Sequence, residues 1–271
     1  MKKTSLIRTV CACLVVSLFA GMAMASGSSS STKETGSVTI SDDGTKATET
    51  EEEVTTTTTI QEKAEFEITH TTFTHSTNSL GSETYCGIVE IKNTGNCCIY
   101  LEDCTFDFED DNGHLLDTDK LISRSPNVIA PGEYGYFFND GLLDDTVSLD
   151  NGVNLVPNFS IEVCKKGEAA IVDYEVSDLD LRDNDYGMGL KVTGRVENNT
   201  SEDTSSIDVM IIAVFLDSDG EILDIGFTYA DEMSAGGKTS FELSTTFGNR
   251  EISTDDVAEY KVIARKTYLQ F

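Results

Sequence analysis

One ten-residue stretch occurs twice in this chain. FEDDNGHLLD at residues 108–117 returns as FLDSDGEILD at residues 215–224. Two flanking stretches, VEIKN and APGE, return as GRVEN and AGGK at nearly the same offset. Such a repeat predicts two homologous structural units, and the most economical division places them at 64–166 and 167–271.

Both units show the alternation of apolar and polar residues that is typical of β-strands. Segments rich in Val, Ile, Phe, Tyr and Thr are separated by clusters of Gly, Asn and Asp. The clearest segments are 64–68, 89–92, 159–163, 191–196 and 260–264, and only 253–259 fits a short helical turn. Since a unit of about 100 residues suits two sheets around one core, the predicted fold class is all-β, with two tandem β-sandwich domains.

The repeated stretch is acidic enough to suggest a calcium loop, but its spacing does not fit one. An EF-hand loop needs oxygen ligands at positions 1, 3 and 5, glycine at 6 and glutamate at 12. With Gly113 or Gly220 at position 6, position 1 is Phe108 or Phe215, and Gly226 stands where the second copy needs glutamate. Asn-Gly and Asp-Gly between apolar runs instead predict two-residue hairpin turns.

The segment before residue 64 differs from the rest of the chain. Residues 1–25 have a basic start, an apolar core and small residues before Ser26, which predicts a cleaved secretory signal peptide. An uncleaved signal anchor is the alternative. About half of residues 26–63 are Ser or Thr, and large apolar side chains are few, which predicts a disordered linker. The expected location is therefore secreted, extracellular or at the cell surface.

The charge of the chain disfavours several classes of partner. The sequence has 48 acidic and 19 basic residues, for a net charge of −29. Such an excess repels phosphate backbones and anionic lipid headgroups, so neither nucleic-acid binding nor membrane insertion beyond a signal anchor is expected. The expected partner is a protein or a component of the envelope surface, of unknown identity.

The sequence lacks the motifs of common enzymes. Its three histidines are His70, His75 and His114, and they do not have the spacing of a metal site. The odd separation of His70 and His75 places them on opposite faces of a strand. No nucleophile elbow and no phosphate-binding glycine loop is present. We therefore predict no catalytic residue, no cofactor and no metal site.

Five cysteines follow the signal peptide, and all are in the first unit: Cys86, Cys97, Cys98, Cys104 and Cys164. In a secreted protein they predict disulfides with one thiol left over, and their spacing does not match a zinc site. The alternation of the strands places Cys104 in the core. A bridge would then join Cys86 to Cys164 or use Cys97 or Cys98, and a fully reduced state is the alternative.

One strand of the second unit, 207–216, is apolar on both faces. The inner face has Val209, Ile211, Ala213 and Phe215, and the other face has Met210, Ile212, Val214 and Leu216. The corresponding positions of the first unit, Asp103, Thr105 and Asp107, are polar. An apolar face of this kind is typical of an interface. It is covered by the neighbouring domain, by a partner, or by a segment of its own domain.

The repeated motifs also point to a family. The second unit has GRVEN at 194–198, AVFLD at 213–217, Asp219-Gly220 and AGGKTSF at 235–241. The first has FDFED at 106–110, Asn112-Gly113 and PGEYGYF at 131–137. These resemble FxLYD domains, which are secreted bacterial modules, although Glu109 and Leu216 replace the tyrosine of the five-letter motif. The resemblance implies two tandem immunoglobulin-like sandwiches without an agreed catalytic site.

The sequence thus favours a non-enzymatic extracellular or cell-envelope module. In this hypothesis, two β-sandwich domains on an acidic flexible stalk serve for protein or surface binding. A carbohydrate-binding accessory protein and an undetected hydrolase are the alternatives. Carbohydrate binding would need an aromatic platform, for which Tyr134, Tyr136 and Phe137 are the candidates.

Overall fold

The computed structural model of the chain describes residues 62–77, 81–144, 152–184, 189–245 and 252–269, and the backbone of two further strands. Those strands are β1 (Ser29–Lys33) and β2 (Thr55–Thr59), which pair antiparallel. The chain divides into two compact units, Met1–Gln61 and Glu62–Phe271. The predicted signal peptide lies outside the described residues.

β1 and β2 lie in the segment for which the sequence predicts a disordered linker. The prediction rests on the lack of apolar side chains to bury, and it includes no strand in this segment. β2 consists of five threonines, and the β-branched side chain of threonine raises its β propensity. Counting apolar residues therefore misses the pairing of the two strands.

The unit Glu62–Phe271 is built of antiparallel strands. In its first half they are β3 (Phe66–Thr77), β4 (Glu83–Asn93), β5 (Ile99–Glu109), β6 (Leu115–Asp119), β7 (Ser123–Ser125), β8 (Val128–Ile129), β9 (Tyr134–Leu142) and β10 (Asn154–Val163). In its second half they are β11 (Glu175–Asp183), β12 (Leu190–Glu197), β13 (Val209–Leu216), β14 (Ile222–Tyr229), β15 (Lys238–Ser244) and β16 (Glu259–Lys266). Short 3₁₀ turns lie at Gly167–Ala170 and Thr254–Asp256. The predicted all-β class is confirmed.

The strands form four sheets. Sheet I has the order β10-β5-β6, with β8 beside β5, and sheet II has the order β3-β4-β9-β7. In the second half, sheet III is β14-β13-β16 and sheet IV is β11-β12-β15. The order β3-β4-β9 is thus matched by β11-β12-β15, and β10-β5-β6 is matched by β16-β13-β14. The two halves share one strand order.

Each half has a core between its two sheets. In the first half, Val89 and Phe137 of sheet II pack with Leu101 and Phe106 of sheet I, and all four are fully buried. The core of the second half lies between sheets III and IV and contains Leu190, Val192, Ile211, Phe215, Phe241 and Leu243. A third cluster lies between sheets II and III. The sheets therefore stack in the order I, II, III, IV.

Both copies of the repeated stretch form the same hairpin loop. In the first copy the Gly113 N–H donates to the Asp110 carbonyl at 2.9 Å, and the Asp110 N–H donates to the His114 carbonyl at 2.9 Å. The second copy repeats these bonds at Gly220 and Asp217, at 3.1 and 3.0 Å. Each loop has three residues between its paired ends, and each glycine has a positive φ, of 77° and 80°.

The expected two-residue turns are therefore wrong. A two-residue type I′ turn needs positive φ at both central positions, whereas Asn112 and Asp219, which precede the two glycines, do not have it. One left-handed glycine at the end of a three-residue loop is the next most common hairpin connection. The Asn-Gly and Asp-Gly pairs predict the positions of the two hairpin loops correctly, but each loop has three residues instead of two.

The first aspartate of each loop is an internal hydrogen-bond acceptor. Asp110 Oδ1 accepts the N–H groups of Asn112 and His114 at 2.8 and 2.9 Å. Asp217 Oδ1 accepts two backbone N–H groups at the same distances. The backbone hydrogen bond from His114 is the main cause that holds the pKa of Asp110 below its usual value. The carboxylates of Asp110 and Asp217 thus stabilise the conformation of the two loops.

We expect Asp217→Ala to lower the free energy of unfolding by about 1–2 kcal/mol, because two backbone N–H groups lose their acceptor. Asp217→Asn should cost much less, since the amide oxygen still accepts both bonds. Urea unfolding of the full chain measures the two losses, and neither should depend on millimolar calcium. A calcium-induced rise in Tm that Asp217→Asn abolishes would show instead that the carboxylate is a metal ligand.

Candidate functional site at the junction of the two halves

The apolar outer face of sheet III packs against sheet II. Met210, Ile212, Val214 and Leu216 are at most 8% exposed. They belong to one cluster with residues of both halves: Cys86, Ile88, Tyr136, Phe138, Ile222 and Ile225. The sequence leaves open what covers this face. In the structure it is covered by the other half of the same chain. We call this cluster the junction cluster.

The face that meets β13 comes from β4 and β9. In β9 the run YGYFF alternates, so Phe137 enters the core of the first half while Tyr136 and Phe138 point to the junction. The rings of Phe138 and Phe227 lie 5.5 Å apart between centroids. Sequence reasoning missed β4 and β9 as the covering surface. Alternation within the aromatic run was the signal that could have found it.

The three aromatic residues considered for carbohydrate binding do not form one platform. Phe137 is in the core and Tyr136 is 3% exposed in the junction cluster. Tyr134 is 41% exposed, and the Lys92 ammonium lies 5.4 Å from its ring centre. Neighbours along a strand point to opposite faces, which separates Phe137 from the two tyrosines, and of these only Tyr134 is exposed.

Polar contacts link the edge strand β3 to the loop region of the second half. The Thr72 hydroxyl donates to the Ile222 carbonyl at 2.9 Å. The ring of His70 lies between two carboxylates, with Nδ1 at 2.9 Å from Glu90 and Nε2 at 3.8 Å from Glu221. Glu90 is buried in the first half, and Glu221 belongs to the second. His70 therefore bridges the halves at this edge.

The buried guanidinium of Arg265 joins the halves on the other side of the junction. Its Nη1 donates to the Val128 carbonyl at 3.1 Å and to Glu133 Oε2 at 3.0 Å, and its Nε donates to Asp173. Arg265 is on β16, whereas Val128 and Glu133 belong to the first half. We call these four residues the arginine clamp. Each hydrogen bond in the clamp is directional, and each has the charged guanidinium as its donor.

The clamp shifts the pKa values of its charged members in opposite directions. Burial opposes the charge of Arg265, but its bonds to Glu133 and Asp173 outweigh burial and raise its pKa. Burial likewise acts to raise the pKa of Glu133, but the hydrogen bonds from Arg265 and from the Ala130 N–H outweigh it, and the pKa is lowered. Both groups are therefore charged at neutral pH.

The last described residues of the second half also contact the first half. The Tyr268 N–H donates to Asn127 Oδ1 at 3.3 Å, and the Asn127 amide donates back to the Tyr268 carbonyl. The Tyr268 ring meets the Tyr100 ring edge to face, with 6.1 Å between centroids. A small buried cluster lies beneath, formed by Cys98, Tyr100, Val128, Cys164 and Ala170. We call it the exit cluster, because the chain leaves the first half here.

Two shallow clefts lie along the junction. Cys86, Asp140 and Asp224 line one of them, and Arg124 and Lys266 lie in the other. The Cys86 thiol is 3.8 Å from Asp224 Oδ1. Burial, together with the charges of Asp224 and Asp140, raises the pKa of Cys86 well above its usual value. Since the thiolate is the nucleophilic form, this environment disfavours the nucleophilic form of Cys86.

The histidines singled out in the sequence are apart from one another, and of the cysteines only Cys98 and Cys164 share a cluster. The five described cysteines contain no disulfide. Cys86 is in the junction cluster and Cys164 in the exit cluster, so the structure does not bring the suggested pair together; Cys104 is in the first core. His75 stacks on Phe73 at 5.8 Å, away from His70. In the described ranges, no three His, Cys, Asp or Glu groups are placed to hold a metal ion.

Comparison of the chain with models of known protein families gave no match, and comparison with curated proteins gave none that is significant. The resemblance to FxLYD domains therefore stays a prediction. Among the described residues, no helix has the length and apolar character to cross a membrane.

We expect Ile212→Asp in the full chain to lower the free energy of unfolding by several kcal/mol, because the carboxylate is buried unpaired between sheets II and III. Hydrogen exchange should accelerate in β4 and β9 as well as in β13, since the cover of sheet II is loosened. Thr105→Asp is the matched control: it is the equivalent position of the first half on the polar face of sheet I, and its cost should stay within about 0.5 kcal/mol. Unchanged exchange in β4 and β9 of the Ile212 variant would mean that the junction contributes little to stability.

The arginine clamp should weaken in acid. A lowered folded-state pKa means that Glu133 stabilises the fold above its unfolded pKa of about 4.3 and loses this contribution as pH falls through the folded value. Glu133→Gln should therefore lower the free energy of unfolding at pH 7. The difference in this free energy between the variant and the wild type should be smaller at pH 3. Urea unfolding of both proteins across this pH range measures the difference. If this difference is the same at all pH values, the charge of Glu133 does not contribute to stability.

Proposed function

We propose that the chain is a non-enzymatic binding module of the cell exterior, in which two immunoglobulin-like sandwich domains are held in one fixed arrangement for a protein or envelope partner. The shared strand order and the matching hairpin loops of the two halves support tandem domains. The basic, apolar and small-residue pattern of residues 1–25 supports secretion.

The buried junction is the observation that carries this proposal. Domains of one chain move relative to each other unless their interface is large and apolar. Here an apolar cluster from strands of both halves is flanked by His70 on one side and by Arg265 on the other. Two domains held rigidly present one continuous surface, and a partner that contacts both does not have to order them on binding.

The polar outer faces of the stack are the surfaces left for a partner. Sheet I presents Asp103 and Asp107, and Asp107 accepts hydrogen bonds from Thr118 and Asn158 at 2.8 and 2.7 Å. Sheet IV presents cross-strand ion pairs such as Lys191 with Glu242, at 3.1 Å. Combined with a net charge of −29, these faces favour a partner with a positively charged surface, which long-range attraction would steer toward the chain.

Capture from a solubilised native cell envelope, with the full mature chain immobilised, tests the proposal. We expect a protein or envelope component to be retained, with retention that falls as salt rises because the attraction is screened. Ile212→Ala should reduce the retention of a partner that spans both halves, whereas Ile211→Ala, which truncates the same side chain on the inner face of the same strand, should not. Circular dichroism of each variant verifies that it is folded.

The alternatives give different outcomes in parallel assays. Binding on a glycan array that Tyr134→Ala abolishes would replace the proposal by carbohydrate binding, because Tyr134 is the exposed member of the aromatic run. Turnover of a substrate in a hydrolase panel by the purified chain would replace it by an enzyme. Neither outcome depends on the junction, so Ile212→Ala would leave both unchanged.

A further inference from the structure

The cysteines Cys98 and Cys164 lie opposite each other on neighbouring antiparallel strands. β5 pairs with β10 in a register that matches Ile99 with Val163, so the next pair outward is Cys98 with Cys164. The Cys164 N–H donates to the Cys98 carbonyl at 2.8 Å, which shows that the pairing continues to these residues. A hydrogen-bonded pair of this kind has Cα atoms about 5.5 Å apart, and disulfides span about 4.4–6.8 Å.

The two side chains are also on the same face. Ile99 is in the core of the first half, so Cys98 points to the other side of sheet I, and Cys164 lies in the same exit cluster. Both residues are 4% exposed. Directly opposite side chains of a sheet pair are neighbours. In agreement with this, burial raises the pKa of Cys98 to about 11, with the charge of Cys164 as the next cause.

We propose that Cys98 and Cys164 form a disulfide that closes the end of the first half where the chain passes to the second. The other thiols are engaged elsewhere: Cys86 contacts Asp224 in the junction cluster, and Cys104 contacts the Thr105 carbonyl in the first core. Cys97 lies in the bend before β5, close to Glu62 and to the backbone of Lys63.

The bond forms by exchange with a disulfide oxidant, such as glutathione disulfide or a protein disulfide. The thiolate of one cysteine attacks the oxidant to give a mixed disulfide and one released thiol, and the second cysteine then displaces the other thiol. In total two protein thiols lose two protons and two electrons, and the oxidant disulfide is reduced to two thiols. A secretory route supplies such an oxidant.

The position of the bridge gives it a structural consequence. It ties the start of β5 to the end of β10, immediately before the 3₁₀ turn Gly167–Ala170 that leads into the second half. Ala170, Ile171 and Tyr268 pack on the same cluster. The bridge would therefore hold the surface on which the connector and the last residues of the second half rest. The loop that it closes runs through most of the first half, and cross-linking a loop of such length restricts the unfolded chain strongly.

The test refolds the reduced chain from Ser26 onward, which contains five cysteines, in a buffer of reduced and oxidised glutathione. Remaining thiols are then alkylated in denaturant, and non-reducing peptide mapping identifies the linked residues. We expect a link between Cys98 and Cys164, with Cys86 and Cys104 alkylated. Because Cys97 and Cys98 share a peptide, Cys97→Ser is the matched control: it should retain the link, whereas Cys98→Ser and Cys164→Ser should each lose it.

Stability provides a second readout. Reduction with dithiothreitol should lower the Tm of the oxidised chain by about 5–15 °C and leave Cys164→Ser unchanged. A link that involves Cys86, Cys97 or Cys104, or five alkylated thiols after refolding under conditions that oxidise other structural disulfides, would overturn the proposal. If Cys98→Ser does not fold, Cys164→Ser and the wild-type peptide map decide the question without it.

Discussion

The contact between sheets II and III is the interaction on which the rest of this structure depends. Antiparallel sheets commonly have one face on a core and one in water, but both sheets at the junction are covered on both faces. All eight residues of β13 are buried, with Ile211 and Phe215 in one cluster and Ile212 and Val214 in another. Separating the halves would expose the second of these clusters to water, at a cost of roughly 25 cal/mol per Å² of apolar surface.

The two halves share a strand order but do not present the same apolar face. The first half uses the outer face of β4 and β9, whereas the second uses the outer face of β13 and β14. This contact is heterologous, and such a contact would continue from chain to chain if each half had both apolar faces. The contact does not continue because the outer faces of sheets I and IV are polar. On sheet I, Thr105 is at the position that Ile212 has on sheet III. On sheet IV, Lys191 pairs with Glu242.

Much of the fold could be predicted because alternation along a strand fixes which way each side chain points. It predicted the all-β class and the second apolar face of β13. It could not predict what covers that face, because β4 and β9 are distant from β13 in the sequence and nothing local links them. The pairing of Cys98 with Cys164 likewise depends on the register of β10, which shifts at a bulge between Phe159 and Ile161. Two partners of Arg265, Val128 and Glu133, meet it only once sheets II and III are stacked.

Apolar contacts and polar contacts have different roles at the junction. Apolar burial supplies most of the free energy but has no direction, so the junction cluster alone would tolerate several offsets between sheets II and III. The guanidinium of Arg265 has donors in a fixed plane, and its two partners in the first half, the Val128 carbonyl and the Glu133 carboxylate, restrict the offset. Removing either acid would leave a buried charge incompletely paired, which is costly. The clamp and the hydrogen bond from Thr72 to the Ile222 carbonyl lie at separate edges of the cluster, and two directional contacts at separate points restrict both the position and the rotation of one sheet on the other.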